Sequence, residues 1–320
     1  MDVDMNLYYR FLQFLNSAEQ ERYIYYRQKY GIVYSLLMAK ANRRRIWLDW
    51  LEIPITTYCS LCCRHCANLM QYYTERSHIP AEQVTENLSE VLDSIDGVHL
   101  LRILGGEPLL HPELYEILQF CITCMEKSGK IRRMEIVTNG TMLLSEDTVE
   151  LLKNSGRIKL GISDYGANSS KLNSLTEQLE KAHILYDVYR GEWKAKASLA
   201  ARGWSDRDKR KLFRMCKKYI SLFNGELHIC PRFAHGTDLC AVPRREGDYV
   251  RIAQYGGNPE ALRSAIIKLL ERPYVEACSF CDGERPNDLE TVVRGEQCSR
   301  DEARRCFQEM IRKNRMIFFF

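Results

Sequence analysis

Three thiols dominate the chemistry open to this sequence. Cys59, Cys63 and Cys66 lie in the run Thr57-Tyr58-Cys59-Ser60-Leu61-Cys62-Cys63-Arg64-His65-Cys66-Ala67-Asn68. This spacing lets three thiolates bind three corners of an iron–sulfur cube and leaves the fourth iron without a protein ligand. An open iron can take a small molecule, so the spacing points to chemistry rather than to storage or simple electron transfer. The same run also reads as two CxxC pairs, Cys59/Cys62 and Cys63/Cys66, which would suit a zinc ion. On the loop alone both readings stand. A disulfide framework fits poorly. Met1-Asp2-Val3-Asp4 is acidic, with no basic region and no apolar stretch behind it. A cytoplasmic location and reduced thiols are therefore expected.

The chain has 13 cysteines, more than packing needs. Cys216, Cys230, Cys278 and Cys281 form a second set, the last two as a CxxC pair. Four thiolates can ligate a complete 4Fe–4S cluster, or a zinc knuckle, with no metal position left open. Cys121 and Cys124 fall on a helical stripe and read as packing residues. Cys240 lies outside both sets and reads as a structural thiol. Cys298 and Cys306 come too late to join the second set.

Such loops need a scaffold, and the hydrophobic pattern supplies one. Leu51 to Thr57 reads as a short apolar strand leading into the cysteine loop. Further strands are expected at 98–104, 134–138, 157–163 and 184–189. Between them lie helices over 80–95, from Pro112, from the Ser145 cap, and ahead of the fifth strand. Alternation of this kind builds a parallel sheet with right-handed crossovers. Five units suit an α/β fold, a partial (β/α)5–6, TIM-like barrel opened beyond its fifth strand. Residues 6–45 read as amphipathic helix, with Leu7, Phe11, Phe14 and Leu15 as a stripe. Residues 191–212 read as a solvated connector or a lid. Tyr219 to Ile229 reads as a hairpin turning at Asn224-Gly225, and Asn258-Pro259 starts a helix ending before Pro273. The expected division is 1–48, helical; 49–212, barrel core; 213–285, cysteine-bearing extension; and 286–320, a tail to which no chemistry is assigned.

The net charge of +4 is too mild to argue for nucleic acid. The longest apolar runs, such as Gly31 to Ala39, are too short to span a bilayer.

Every polar motif falls on a loop after a strand, where barrels gather function. The cysteine loop follows the first strand and Gly105-Gly106-Glu107-Pro108 the second. Thr138-Asn139-Gly140 follows the third, and Ser163-Asp164 ends the fourth. In this order the motifs resemble those of the radical S-adenosylmethionine (radical SAM) enzymes. The resemblance covers about residues 50–285. It implies a 4Fe–4S cluster on Cys59, Cys63 and Cys66 whose open iron chelates S-adenosylmethionine, with reductive cleavage to a 5′-deoxyadenosyl radical. It further implies that Gly105, Gly106 and Glu107 hold the methionine amino group. Thr138, Asn139 and Ser163 would serve the ribose and carboxylate, His65 the adenine side and Arg190 the carboxylate. The second thiol set resembles the shortened auxiliary-cluster ("twitch") form of the SPASM-type extension.

The resemblance implies an enzyme that takes hydrogen from a substrate carbon, with oxidation of a small polar substrate such as a sugar or cyclitol as the leading expectation. Radical epimerisation, with Cys240 as hydrogen donor, and peptide modification are the alternatives. A zinc or iron–sulfur carrier is the non-enzymatic one. The expected partners are a small-molecule or peptide substrate and a reductant of flavodoxin or ferredoxin type, without nucleic acid or membrane.

Overall fold

The computed structural model describes residues 45–195, 198–283 and 289–318, with side chains to 314. The helical stretch expected over 6–45 lies outside them. The strands and helices of the described residues belong to one unit, Trp47–Phe320.

Five strands run parallel: β1 (Trp47–Pro54), β2 (Gly97–Leu104), β3 (Ile131–Thr138), β4 (Ile158–Ser163) and β5 (Leu185–Tyr189), side by side in sequence order. They are joined by α1 (Ala81–Ser94), α2 (Leu114–Lys127), α3 (Glu146–Leu152) and α4 (Leu172–Lys181). Ser145 caps α3, its hydroxyl accepting from the Thr148 amide. The fold is α/β with a mostly parallel central sheet. β1 begins at Trp47 rather than at the expected Leu51. Its partner Gly97 explains the extra length, because a Cβ there would lie 2.4 Å from the Trp47 ring.

The two faces of the sheet differ in chemistry. Ile53, Ile103, Ile136 and Leu160 sit in register across four strands, all buried. Each contributes about 1.5–3 kcal/mol by leaving water. One residue earlier in each strand, the other face carries Glu52, Arg102, Glu135 and Lys159 in register, with signs alternating. Arg102 bonds Glu52 at 3.1 Å and Glu135 at 2.5 Å, and Lys159 lies 3.3 Å from Glu135 and 2.5 Å from Asp187. The Tyr189 hydroxyl donates to Glu135 at 2.6 Å. Each buried charge therefore has a partner, the condition for tolerating it.

Beyond β5 comes a two-residue strand, β6 (Trp193–Lys194), and then α5 (Asp206–Met215). The stretch expected as a connector thus contains a helix. Ser205 and Asp208 cap it reciprocally, and Leu212 and Phe213 are buried. The hairpin follows as β7 (Ile220–Phe223) and β8 (Glu226–His228). Asn224 and Gly225 both have positive φ, 48° and 74°, as a primed turn requires. β7 joins the main sheet, pairing parallel with β1 through Leu51↔Ile220 and Glu52↔Ser221. The eight strands run β5-β4-β3-β2-β1-β7-β8-β9, with β9 at Tyr249–Arg251. Helix α6 (Pro231–Asp238) has Pro231 through Thr237 all buried, so it shows no one-sided stripe in sequence. α7 (Pro259–Leu270), the strand β10 (Thr291–Val292) paired with β6, and α8 (Arg300–Phe318) complete the chain.

Candidate active site

The cysteine loop is hung on the loop after β2. The Ile55 amide donates to the Leu104 carbonyl, the Gly106 amide to the Thr56 carbonyl and the Glu107 amide to the Tyr58 carbonyl, at 2.8, 2.9 and 2.8 Å. The glycines permit this approach: a Cβ on Gly105 would lie 2.5 Å from the Thr56 oxygen, and one on Gly106 2.1 Å from the Tyr58 oxygen. Their lack of side chains thus serves the contact between two strand-end loops.

Glu107 is fully buried. Its carboxylate accepts from the Leu109 amide at 3.1 Å, and from the Thr138 hydroxyl and the Asn139 amide at 2.8 Å each. Burial pushes it up to about 7, despite the three donors. It ties the β2 loop to the β3 loop, so its direct partners are protein groups. Asn139 carries the tie onward. Its side-chain amide donates to the Ser60 hydroxyl at 3.1 Å and reaches the Cys59 sulfur at 3.6 Å.

The three thiols are brought to one place. Cys63 is buried, with Cys59 and Cys66 partly so. Burial pushes Cys59 and Cys63 up to about 12 and raises Cys66. Each is raised further by the charge of a neighbouring thiol in the loop, Cys66 for both Cys59 and Cys63. Tyr165, in the loop after β4, is raised by burial and by the charges of Cys66, Cys63 and Cys59 together. Buried thiols facing one another hold their protons until a cation replaces them, as a metal cluster does. Among the described residues no three His, Cys, Asp or Glu side chains converge to hold a single metal ion. A cube, by contrast, presents its irons at separate corners and so takes ligands spread around it.

The second set comes together likewise. Cys216 ends α5, Cys230 precedes α6, and Cys278 and Cys281 belong to a short 3-10 turn, Glu276–Phe280, and its cap. Burial pushes Cys230 well up, and Cys216 and Cys281 add to it. Cys278 is pushed up to about 12 by burial, with Cys281 and Cys216 adding to it. The Gly283 amide donates to the Cys281 sulfur at 3.2 Å, and the Trp204 ring N–H to the Cys281 carbonyl at 3.0 Å.

The remaining expected residues sit around the loop. The Ser163 carbonyl accepts from the Ser169 hydroxyl at 3.1 Å. Arg190 Nε donates to Asp164 at 2.7 Å, so its guanidinium is tied to the Ser163-Asp164 motif. His65 lies 3.8 Å from Glu296. Cys240 is exposed, in the left-handed region, with its thiol 3.9 Å from the Asp238 carbonyl of its own turn. Cys121 is buried on α2.

One part of the site was not foreseen, because the tail was assigned no chemistry. The tail runs antiparallel along the cysteine loop. The Arg64 amide donates to the Glu296 carbonyl at 2.7 Å and the Cys298 amide to the Cys62 carbonyl at 2.9 Å, with a bridge pairing Cys63 and Gln297. The Arg64 guanidinium bonds Glu296 and Glu302. The Cys62 and Cys298 sulfurs are 3.8 Å apart. The only local sign in the sequence was Cys298 itself, set beside Gln297.

Residues 53–173 match the model of the Radical SAM superfamily. GTP 3′,8-cyclase 1 of Mycobacterium tuberculosis is 30% identical over 166 residues, 52% of this chain and 43% of that protein. AdoMet-dependent heme synthase of Methanosarcina barkeri is 32% identical over 136 residues, 42% of this chain and 34% of that protein. The chain spans less than half the length of these relatives. Among solved structures, SuiB of Streptococcus suis bound to S-adenosylmethionine shares 25% identity over 48% of this chain and 36% of its own, with a TM-score of 0.37. BtrN in complex with AdoMet and 2-DOIA aligns over 79% of this chain and 98% of its own, at 18% identity and a TM-score of 0.47. The matched residues 53–173 hold the cysteine loop and the polar strand ends, and over that stretch the chain is similar to the radical SAM superfamily.

Proposed function

We propose that this chain is an enzyme that cleaves S-adenosylmethionine reductively and removes hydrogen from carbon in a small polar substrate, oxidising it. The observation that carries the reading is the gathering of Cys59, Cys63 and Cys66 on one loop, braced by Gly106, Glu107 and Asn139. Those thiols would hold a 4Fe–4S cluster, which supplies the one-electron cleavage of the sulfonium and hence a carbon radical. Thr138, Asn139 and Ser163 offer short hydrogen-bonding groups at strand ends for the S-adenosylmethionine. Glu107 fixes the first two, and the Gly105-Gly106 backbone, His65 and Arg190 complete the surround. Cys216, Cys230, Cys278 and Cys281 would hold a second, fully ligated cluster, suited to electron transfer rather than to binding substrate. The sheet face with Glu52, Arg102, Glu135 and Lys159 is charged rather than apolar, which suits a polar substrate better than an apolar one, although these side chains are already paired with one another. The reductant would be a small carrier of flavodoxin or ferredoxin type.

Anaerobic reconstitution tests the reading. The protein should take up about eight irons, four for each cube. With dithionite and S-adenosylmethionine it should yield 5′-deoxyadenosine. Cys59→Ala, Cys63→Ala and Cys66→Ala should each abolish that yield, and Cys62→Ala should retain it. Stoichiometric zinc without labile sulfide would sink the proposal. Once a substrate is found, turnover in heavy water separates oxidation from epimerisation. Oxidation gives a product lighter by two hydrogens with no solvent deuterium at the reacting carbon. One deuterium at an inverted carbon would instead indicate an epimerase.

A further inference from the structure

The tail strand lays one side chain directly on the cysteine loop. Gln297 Oε1 accepts from the Cys62 amide at 2.7 Å. Its Nε2 donates to the Cys63 sulfur at 3.3 Å and to the Gly295 carbonyl at 2.6 Å. The side chain cannot turn round without losing these contacts, since a reversed amide would point its N–H groups at the Cys62 N–H and its oxygen at the sulfur. Its backbone is fixed on both sides, by the Arg64–Glu296 and Cys298–Cys62 hydrogen bonds. The Asn168 side-chain amide donates to the Gly295 carbonyl at 2.9 Å. Gly295 is at φ 63°, and a Cβ there would lie 2.6 Å from Tyr165, so the strand is seated closely between the loops after β1 and β4.

A donor aimed at a thiolate sulfur withdraws charge from it. Where that sulfur ligates iron, the reduced cluster, which carries the extra electron, gains more from the hydrogen bond than the oxidised one. We infer that Gln297 is a positioning residue whose side-chain amide, aimed at the Cys63 sulfur, raises the electron affinity of the cluster bound there. This rests on the reading of Cys59, Cys63 and Cys66 as cluster ligands. It goes beyond that reading because Gln297 lies outside the family-matched residues 53–173 and comes from the tail.

The test separates the two ends of the amide. Gln297→Glu keeps an oxygen for the Cys62 amide, but at pH 8 it has no N–H for Cys63 and adds a negative charge. Gln297→Met loses all three side-chain hydrogen bonds without adding charge. Redox titration of the reconstituted protein, followed by electron paramagnetic resonance, reads the reduced fraction of the three-thiol cluster at a fixed solution potential. In the range where the cluster is largely oxidised, we expect the reduced-to-oxidised ratio to fall roughly three- to tenfold in Gln297→Met, the size of one ordinary net hydrogen bond. It should fall further in Gln297→Glu, with iron content held near the wild-type value in both. A cluster potential unchanged in Gln297→Glu, with iron retained, overturns the inference and leaves the reading intact. Loss of iron from the three-thiol site in both variants would reduce Gln297 to a structural brace and also overturns it. Wild-type protein that takes up no cluster on Cys59, Cys63 and Cys66 overturns the reading itself, and the inference with it.

Discussion

Gly106 shows how little room the site leaves at the scale of one residue. A methyl group there would press on the Tyr58 oxygen, and that oxygen belongs to backbone, so it cannot swing aside. Gly106→Ala should therefore displace the cysteine loop and cost about 1–3 kcal/mol, the usual penalty for overpacking. Iron should be lost from the three-thiol site and kept at the second set, as counted by iron and sulfide analysis. Gly156→Ala is the control: nothing lies within 4 Å of its Cβ position, and stability should hold. The sequence pointed to Gly105, Gly106 and Glu107 because their order is local. Their use was harder to see. Ligand contact is the expectation, and in addition the glycines make room for Thr56 and Tyr58, while Glu107 bonds Thr138 and Asn139. Both contacts join loops distant in sequence.

At the scale of elements, the apolar strands and helices were readable, because alternation and stripes are local signals. The charged row was equally present in the letters, as Glu52, Arg102, Glu135 and Lys159 inside β1 to β4. It only acquires meaning once the parallel register aligns the strands, which no single strand encodes. α6 was missed because it is buried all round. β8 offers a test of electrostatics in the added hairpin. Burial pushes Glu226 up, but the hydrogen bonds and charges of His228 and Arg244 outweigh it and hold the carboxyl at about 2. A carboxylate depressed on folding stabilises the fold above its ordinary value of about 4.5, and that contribution disappears as pH falls through about 2. Glu226→Gln should thus lower unfolding stability at pH 7 by on the order of 2 kcal/mol. The gap from wild type should close between about pH 4.5 and pH 2, as read by urea unfolding across that window.

At the scale of the whole molecule, the second thiol set joins α5, the end of the hairpin and a turn near residue 280. A cluster on these thiols would contribute folding energy as well as electron transfer. Cys278→Ala with Cys281→Ala should remove about half the iron and lower the melting temperature. Uncoupled S-adenosylmethionine cleavage should survive while substrate product is lost; normal product formation would refute the electron-transfer role. The tail was the least legible part. Its contact with the cysteine loop closes over a separation of 235 residues, which no local pattern records. The sheet adds a consequence of its own. β7 covers the edge of β1, the strand that leads into the cysteine loop. A chain ended before β7 would bare that edge, with its row of unanswered N–H and C=O groups. Such an edge is a template for another strand. Such a shortened chain is expected to pair with a neighbour's β1 and aggregate edge to edge, as light scattering would read, because the β7 hairpin is what covers that edge.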